Sequence, residues 1–110
     1  MKDSEIIESN IDTARSIQKL RDVARKLVKS PEWGEVIEDA YFREEASRLV
    51  QAKMEPLTEP QLANVERMIY GVAALKQFMK DIMRRGMDID NGIEEMEAEH
   101  QRALQEEINT

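Results

Sequence analysis

The sequence predicts an all-α protein with three long antiparallel helices and an acidic C-terminal helix, packed as a bundle or coiled coil. Of its 110 residues 35% are charged, whereas only four are glycine and three are proline. This composition, rich in Glu, Lys, Arg, Ala and Leu, favours long helices over sheet. Apolar residues recur at steps of three and four positions through most of the chain, which is the spacing of amphipathic helices. Helix start and stop signals then place the individual helices.

The first helix is predicted from about Ser4 to Lys29. Its apolar positions form one stripe, and basic residues gather towards its end, where they suit the negative pole of the helix dipole. The stripe contains Ile7, Ile11, Ala14, Ile17, Leu20, Ala24 and Leu27.

The second helix begins with Ser30, which can cap, and Pro31, which fits the first helical position. It ends near Lys53 and contains three of the five aromatic residues, so we expect it to supply much of the bulky core. An apolar stripe at α-helical spacing runs along it. The stripe contains Trp33, Val36, Ile37, Ala40 and Tyr41, with Phe42, Ala46, Leu49 and Val50 displaced around the axis.

The third helix follows a short link that contains Pro56, and so short a link implies antiparallel packing. Thr58 caps this helix, and Gln61 completes a capping box. Small residues at positions 71, 73 and 74 would let another helix approach closely. The helix is predicted to end at Gly86, which follows two arginines in a typical C-terminal pattern.

The last segment, residues 88–107, is predicted as a fourth helix or a bent extension of the third. Its apolar seam is thin, which predicts low local stability. We therefore expect two domains, a helical bundle over residues 1–86 and an acidic helix or arm over residues 87–110. The thin seam contains Ile89, Ile93, Met96, His100, Ala103 and Leu104.

The net charge of −7 is unevenly distributed along the chain. Residues 87–110 hold eight acidic side chains and one basic, whereas residues 1–86 hold fifteen of each. The end of the first helix is strongly basic, so pairing of the two ends within or between chains is one interpretation. Two separately solvated faces are the other. The candidates for electrostatic pairing are Arg15, Lys19, Arg25, Lys26, Glu94, Glu95 and Glu97.

Tests for chemistry favour a protein that is not an enzyme and has no metal or cofactor. The chain has no cysteine, hence no thiol nucleophile or zinc–thiolate site. A calcium loop is suggested by Asp88-Ile-Asp-Asn-Gly92, but the glycine stands fifth where that loop needs it sixth. Glu97-Ala-Glu-His100 has di-iron spacing, but such a site needs two motifs and the chain has one His. A seam histidine in a coiled coil is the other interpretation of His100.

Partners other than protein are not expected. The basic end of the first helix could touch nucleic acid, but the overall acidity argues against this as the main role. No apolar run approaches the ~20 residues of a membrane span, and the first residues lack the apolar segment of a signal peptide. We therefore expect a soluble, intracellular protein.

One pattern covers most of the chain. It begins at Ser30-Pro-Glu-Trp33 and continues through Val36-Ile37, Tyr41-Phe42, Glu45-Ala46 and Arg48-Leu49-Val50. A further part runs from position 69 to position 78, and an acidic C-terminal helix follows. This pattern resembles small helical proteins encoded among the virion genes of tailed bacteriophages, with Ala40 in place of the glycine expected there. The resemblance implies a phage structural or assembly role, in the virion or the host cytoplasm, and brings no catalytic residues.

We therefore expect a non-enzymatic interaction protein that forms homo-oligomers and binds a phage head, portal or tail component. The alternative is a small acidic phage effector that binds and inhibits a host protein. The candidate protein-contact residues are Trp33, Tyr41, Phe42, Gly71, Ala74, Ile93, Met96 and His100.

Overall fold

The structure is a computed structural model that describes residues 2–110, and these residues form three helices and no strand. Helix α1 spans Asp3–Val28, helix α2 spans residues 31–52, and helix α3 spans Glu59–Asn109. The predicted all-α class is confirmed. The predicted bounds of the first two helices agree with the observed ones to within one residue.

Both predicted capping signals are confirmed by hydrogen bonds. The backbone N–H of Trp33 donates to Ser30 Oγ at 3.2 Å, with Pro31 in the first turn. At the start of α3 the backbone N–H of Thr58 donates to Gln61 Oε1 at 3.0 Å, and the backbone N–H of Gln61 donates to Thr58 Oγ1 at 3.3 Å. This reciprocal pair satisfies two of the N–H groups that a helix start leaves unbonded.

The predicted end of the third helix at Gly86 is wrong, because α3 continues without interruption to Asn109. The glycine stop requires a left-handed backbone at that residue, and none of the glycines has positive φ. The acidic segment is therefore an extension of the third helix. Asp88 and Gly92 lie inside this helix, so this segment does not form the calcium loop that its residues suggested.

Helix α2 is not a regular α-helix, contrary to the sequence prediction. An α-helical turn over Pro31–Trp33 leads into a π-helix over Gly34–Glu45, and α-helix resumes over Ala46–Ala52. A π-helix has i→i+5 hydrogen bonds and about 4.4 residues per turn. Residues nine positions apart lie on opposite sides of an α-helix, but two π-turns bring them to the same side. This winding explains why the apolar stripe of α2 is displaced around the axis.

The chain forms two compact units. Unit 1 contains residues 2–24 and 82–110, and unit 2 contains Arg25–Asp81. These bounds differ from the predicted segments 1–86 and 87–110, because the acidic segment packs along α1 within unit 1. Whether residues 87–110 behave as an arm in solution stays a prediction.

Unit 1 is an antiparallel helix pair. Ser4, near the start of α1, bonds Glu107 near the end of α3, whereas Arg21 bonds Asp90. The seam of α3 keeps alternating steps of four and three residues, the heptad spacing of a coiled coil. The buried residues of unit 1 are Ser4, Ala14, Arg21, Ala24, Ile82, Gly86, Ile93 and Ala103.

Unit 2 is a helical hairpin of α2 and the first part of α3, joined by residues 53–58. An ion pair of 3.7 Å between Lys53 Nζ and Glu66 Oε1 crosses the base of the hairpin. Its buried apolar residues are Trp33, Leu49 and Val72, and Leu49 is the largest fully buried side chain at 1% exposure. The hairpin thus has one thin seam.

Candidate protein-interaction surface

One flank of unit 2 carries an aromatic cluster that depends on the π-helical winding. The rings of Trp33 and Phe42 meet edge to face, with centroids 6.2 Å apart and an interplanar angle of 81°. Tyr41 packs at 5.9 Å from Phe42. The indole Nε1–H of Trp33 donates to Glu38 Oε1 at 2.9 Å, five residues along the helix. On α3, Lys76 Nζ lies 5.1 Å from the centre of the Phe42 ring, a cation–π contact.

The other flank of the hairpin is an open groove of about 690 Å³. Its walls come from one face of the π-helix and from Leu75 of α3. The lining is apolar except for the carboxylate of Glu45 and the hydroxyl of Tyr41, and Val36 at its edge is 59% exposed. The lining residues are Val36, Ile37, Ala40, Tyr41, Glu45 and Leu75.

The wall of the groove continues along the surface of α3. Gly71 and Phe78 lie four and three residues from Leu75, so they are its neighbours on the helix surface. The Tyr41 hydroxyl lies 3.6 Å from the position a Cβ of Gly71 would take, so the Tyr41 side chain reaches across from α2 to α3 at this point. Ala74 is exposed, and Phe78 is 55% exposed.

A second aromatic ring extends this apolar surface. Tyr70 precedes Ala74 by four residues and is 73% exposed. Two of the five aromatic residues of the chain are therefore mostly in solvent, whereas aromatic rings usually supply the core. A contiguous exposed apolar surface of this kind is typical of interaction sites.

The charges beside the groove are mainly negative. Helix α2 carries six acidic and two basic side chains. Arg48 forms an ion pair with Glu45, and this hydrogen bond lowers the pKa of Glu45. Arg43 pairs with Asp39 at 3.2 Å. Within residues 2–110, no ion pair neutralises Glu32, Glu35 or Glu44.

The groove suits an amphipathic helix of a partner protein. Its walls offer apolar side chains and few polar groups, which matches the mode in which a helix lays its apolar face into a groove. Acidic side chains on α2 would favour basic or neutral residues on the partner.

In unit 1, polar contacts join α1 to the last part of α3. Arg21 is buried, with 6% of its side chain exposed, and donates to both oxygens of Asp90 at 2.7 and 2.9 Å. Its Nε donates to Asp22 at 2.7 Å, and Gln18 Nε2 donates to Asp90 Oδ1 at 2.9 Å. Hydrogen bonds to Asp90 and then to Asp22 raise the pKa of Arg21. Directional bonds of this kind fix the register of a helix pair.

The Arg21 side chain packs directly against the backbone of Gly86. A Cβ on Gly86 would come within 2.5 Å of Arg21 Cβ and 2.9 Å of Arg21 Nη1. Glycine is therefore required at position 86 for close approach of α1, not as a helix stop. Gly92, on the same helix, has no atom within 4 Å of the position a Cβ would take.

The predicted contact residues divide between the two units. Trp33 is buried in unit 2 at 7% exposure, and Ile93 is buried in the seam of unit 1 at 8%. Met96 is half-buried in the same seam. His100 lies one turn further along it, and its buried Nε2 has no hydrogen-bond partner within residues 2–110. Of the predicted contacts, those beside the groove are Tyr41, Gly71 and Ala74.

Among the predicted electrostatic residues, the structure pairs Arg15 with Glu97 within unit 1. Within residues 2–110 no ion pair involves the other candidates, which are Lys19, Arg25, Lys26, Glu94 and Glu95. That part of the chain also contains no group of three or more His, Cys, Asp or Glu side chains placed to hold a metal ion.

Sequence reasoning missed the Arg21–Asp90 pair and the groove. A signal for the pair was present, because Gln18 and Arg21 continue the heptad steps of Ile7, Ile11 and Ala14. Counting only apolar residues hid this continuation. The groove had a local signal in the apolar stripe of α2, which contains Val36, Ile37, Ala40 and Tyr41, but that stripe was expected to lie in the core.

None of the helices within residues 2–110 combines the length and the apolar character that crossing a membrane requires. No family model matches the chain, and no curated protein or solved structure is significantly similar to it.

Proposed function

We propose that this chain is a non-enzymatic interaction protein that binds a helical segment of a protein partner in the groove of unit 2. The observation that supports this most strongly is the exposed apolar surface around the groove. Val36, Tyr70 and Phe78 are 59%, 73% and 55% exposed on a hairpin that buries few side chains of its own. Covering such side chains stabilises a complex by about 25 cal/mol per Å² of apolar area, before the costs of association.

The biological setting we propose is the assembly or structure of a tailed bacteriophage particle. Support for it comes from the resemblance of residues 30–50 and 69–78 to small helical proteins encoded among virion genes. The partner would then be a head, portal or tail protein, met in the host cytoplasm or in the virion. A small acidic effector that blocks a host protein would use the same groove, and the two roles differ in the identity of the partner.

Site-specific photo-crosslinking tests both levels of this proposal. A photoreactive phenylalanine replaces Ala40 in the groove, and a matched variant carries it at Ala98, an exposed alanine of unit 1. After irradiation of the cells in which the chain is made, mass spectrometry identifies the adducts. A protein adduct at position 40 and none at position 98 is the result expected of a docking groove, and a phage structural protein in that adduct would support the assembly role. A host protein would favour the effector role, and equal adducts at both positions would contradict a docking groove.

A further inference from the structure

Building on the docking role of the groove, we propose that its occupant is α3 of a second copy of this chain. Two unit 2 hairpins would then form one four-helix bundle, in which each hairpin places its α3 in the groove of the other. The contact on α3 would involve Gly71, Ala74 and Phe78.

The hairpin by itself is incomplete as a packed structure. Two helices share a single seam, so side chains on the open flank have no third helix to cover them. In unit 2 this flank includes Val36 and Phe78, both more than half exposed. A second hairpin supplies two further helices and converts the open flank into the interior of a bundle.

Unit 2 carries both halves of the required contact. One half is the groove, lined by Val36, Ala40 and Leu75 among others. The other is the exposed face of α3, where Ala74 and Phe78 follow each other at a step of four residues. Small side chains at Gly71 and Ala74 allow another helix axis to approach to about 8 Å. Because each copy offers the same two surfaces, reciprocal insertion gives a closed twofold pair and not a filament.

The charge distribution of unit 2 favours α3, and not α2, as the helix inserted into the groove of the other copy. Helix α2 carries six acidic and two basic side chains, so two copies of α2 in contact would repel each other. Residues 59–81 of α3 carry three acidic and three basic side chains. Insertion of α3 therefore places a neutral helix beside the acidic α2 of the partner copy, with exposed Arg67 on the same face as Ala74, seven residues away. This complementarity distinguishes a second copy from an acidic partner helix.

The mass in solution is the first test. Light scattering should give about twice the chain mass of 12.8 kDa at high micromolar concentration. Ala74→Glu and Ala40→Glu should each halve this mass, because they bury a carboxylate in the contact. Ala73→Glu is the matched control, since Ala73 is exposed and lies about 160° around α3 from Leu75. It should leave the mass doubled, and circular dichroism should show equal helix content in all three variants.

Disulfide trapping is the second test. Because the chain has no native cysteine, no other disulfide competes with the introduced one. Ala74→Cys should form a covalent dimer through contact with its counterpart near the twofold axis, roughly tenfold faster than Ala73→Cys. Equal rates for the two variants would overturn the proposed contact.

The outcomes separate this inference from the docking role itself. A monomeric wild-type chain whose position 40 crosslinks a different protein overturns the second copy and leaves the docking groove standing. A dimer that Ala40→Glu and Ala74→Glu leave intact overturns the proposed contact. If position 40 also forms no adduct, the docking role fails with it.

Discussion

The two units bury different kinds of side chain, although both are pairs of antiparallel helices. Unit 1 buries Ile82 and Ile93 among small and polar residues, with Arg21 lying over Gly86 and bonded to Asp90, and Ser4 bonded to Glu107. Unit 2 buries Trp33, Leu49 and Val72, and its exposed apolar side chains include two aromatic rings, those of Tyr70 and Phe78. Directional polar contacts can specify a helix pair with little apolar volume. Apolar residues packed in a single seam leave further apolar side chains exposed, a feature typical of interaction sites.

The charge distribution follows the same division. The acidic segment after Met87 meets the arginines of α1 within unit 1, through Arg15–Glu97 and Arg21–Asp90. In unit 2 the excess of acidic residues lies on α2, where Glu32, Glu35 and Glu44 are exposed. Unit 1 thus pairs Glu97 and Asp90 of the acidic segment with α1, whereas the excess acidic residues of unit 2 lie on α2.

The largest effect should come from truncation after Gly86. This change removes Asp90, Ile93, Ala103 and Glu107 from the seam of unit 1, so residues 3–24 of α1 lose the helix they pack against. An isolated helix of this kind is marginal in water. Far-UV circular dichroism should therefore show a loss of helix clearly larger than the removed residues account for. A loss limited to the removed residues would show that they form a separable arm.

In unit 2 the strongest single substitution should be Leu49→Ala. Leu49 is 1% exposed, and removing a fully buried leucine side chain costs about 2–5 kcal/mol. Val50→Ala is the matched control, because Val50 is 55% exposed and should change stability by no more than about 0.5 kcal/mol. Urea unfolding measures both. Similar losses of stability for the two variants would contradict the assignment of Leu49, and not Val50, to the buried seam of unit 2.

Because Arg21 packs directly on Gly86, replacing glycine by alanine should have opposite effects on stability at Gly86 and at Gly92 of α3. Gly92→Ala should stabilise the chain by about 0.5–1 kcal/mol, since the added methyl meets no atom within 4 Å. Gly86→Ala gains the same helix propensity but forces Arg21 off the helix surface, and overpacking typically costs about 1–3 kcal/mol. Thermal unfolding of the two variants gives the signs. Stabilisation by Gly86→Ala would contradict the close packing of Arg21.

The smallest effect concerns the Ser4–Glu107 contact. The Ser4 hydroxyl at 2.7 Å, and then its backbone N–H at 3.2 Å, lower the pKa of Glu107. A carboxyl whose pKa is lowered by folding adds stability above its unfolded pKa and loses it as pH falls through the folded value. Ser4→Ala should raise the pKa of Glu107 towards its ordinary value in a carboxyl carbon NMR titration. Ser16→Ala, whose hydroxyl bonds only a backbone carbonyl, is the control and should leave that titration unchanged.

Local rules predicted the helices well, because caps and heptad spacing act within a few residues. The capping hydrogen bonds predicted from the positions of Ser30, Thr58 and Gln61 are present. The interpretation of Gly86 failed for a tertiary reason. A glycine after two arginines is a typical stop signal, but here the same glycine makes room for Arg21 of another helix.

The groove lay beyond sequence reasoning for a different reason. Its residues Val36 and Ala40 belong to the predicted apolar stripe, but the π-helical winding of residues 34–45 pairs Trp33 with Phe42 on the other flank, so that the stripe is left open. No local pattern distinguishes this winding from an α-helix, because both suit the same residue types. The sequence did indicate Tyr41, Gly71 and Ala74 as contact residues, and these lie beside the groove.

The central claim is that unit 2 is completed by a second copy, whereas unit 1 is complete within one chain. Residue-resolved hydrogen exchange at increasing protein concentration tests it most directly, because association stabilises only the part that it covers. Amide protection should rise with concentration along α2 and residues 59–81, and stay constant in residues 3–24 and 82–109. Protection that is independent of concentration in unit 2, or that rises equally in both units, would contradict the claim.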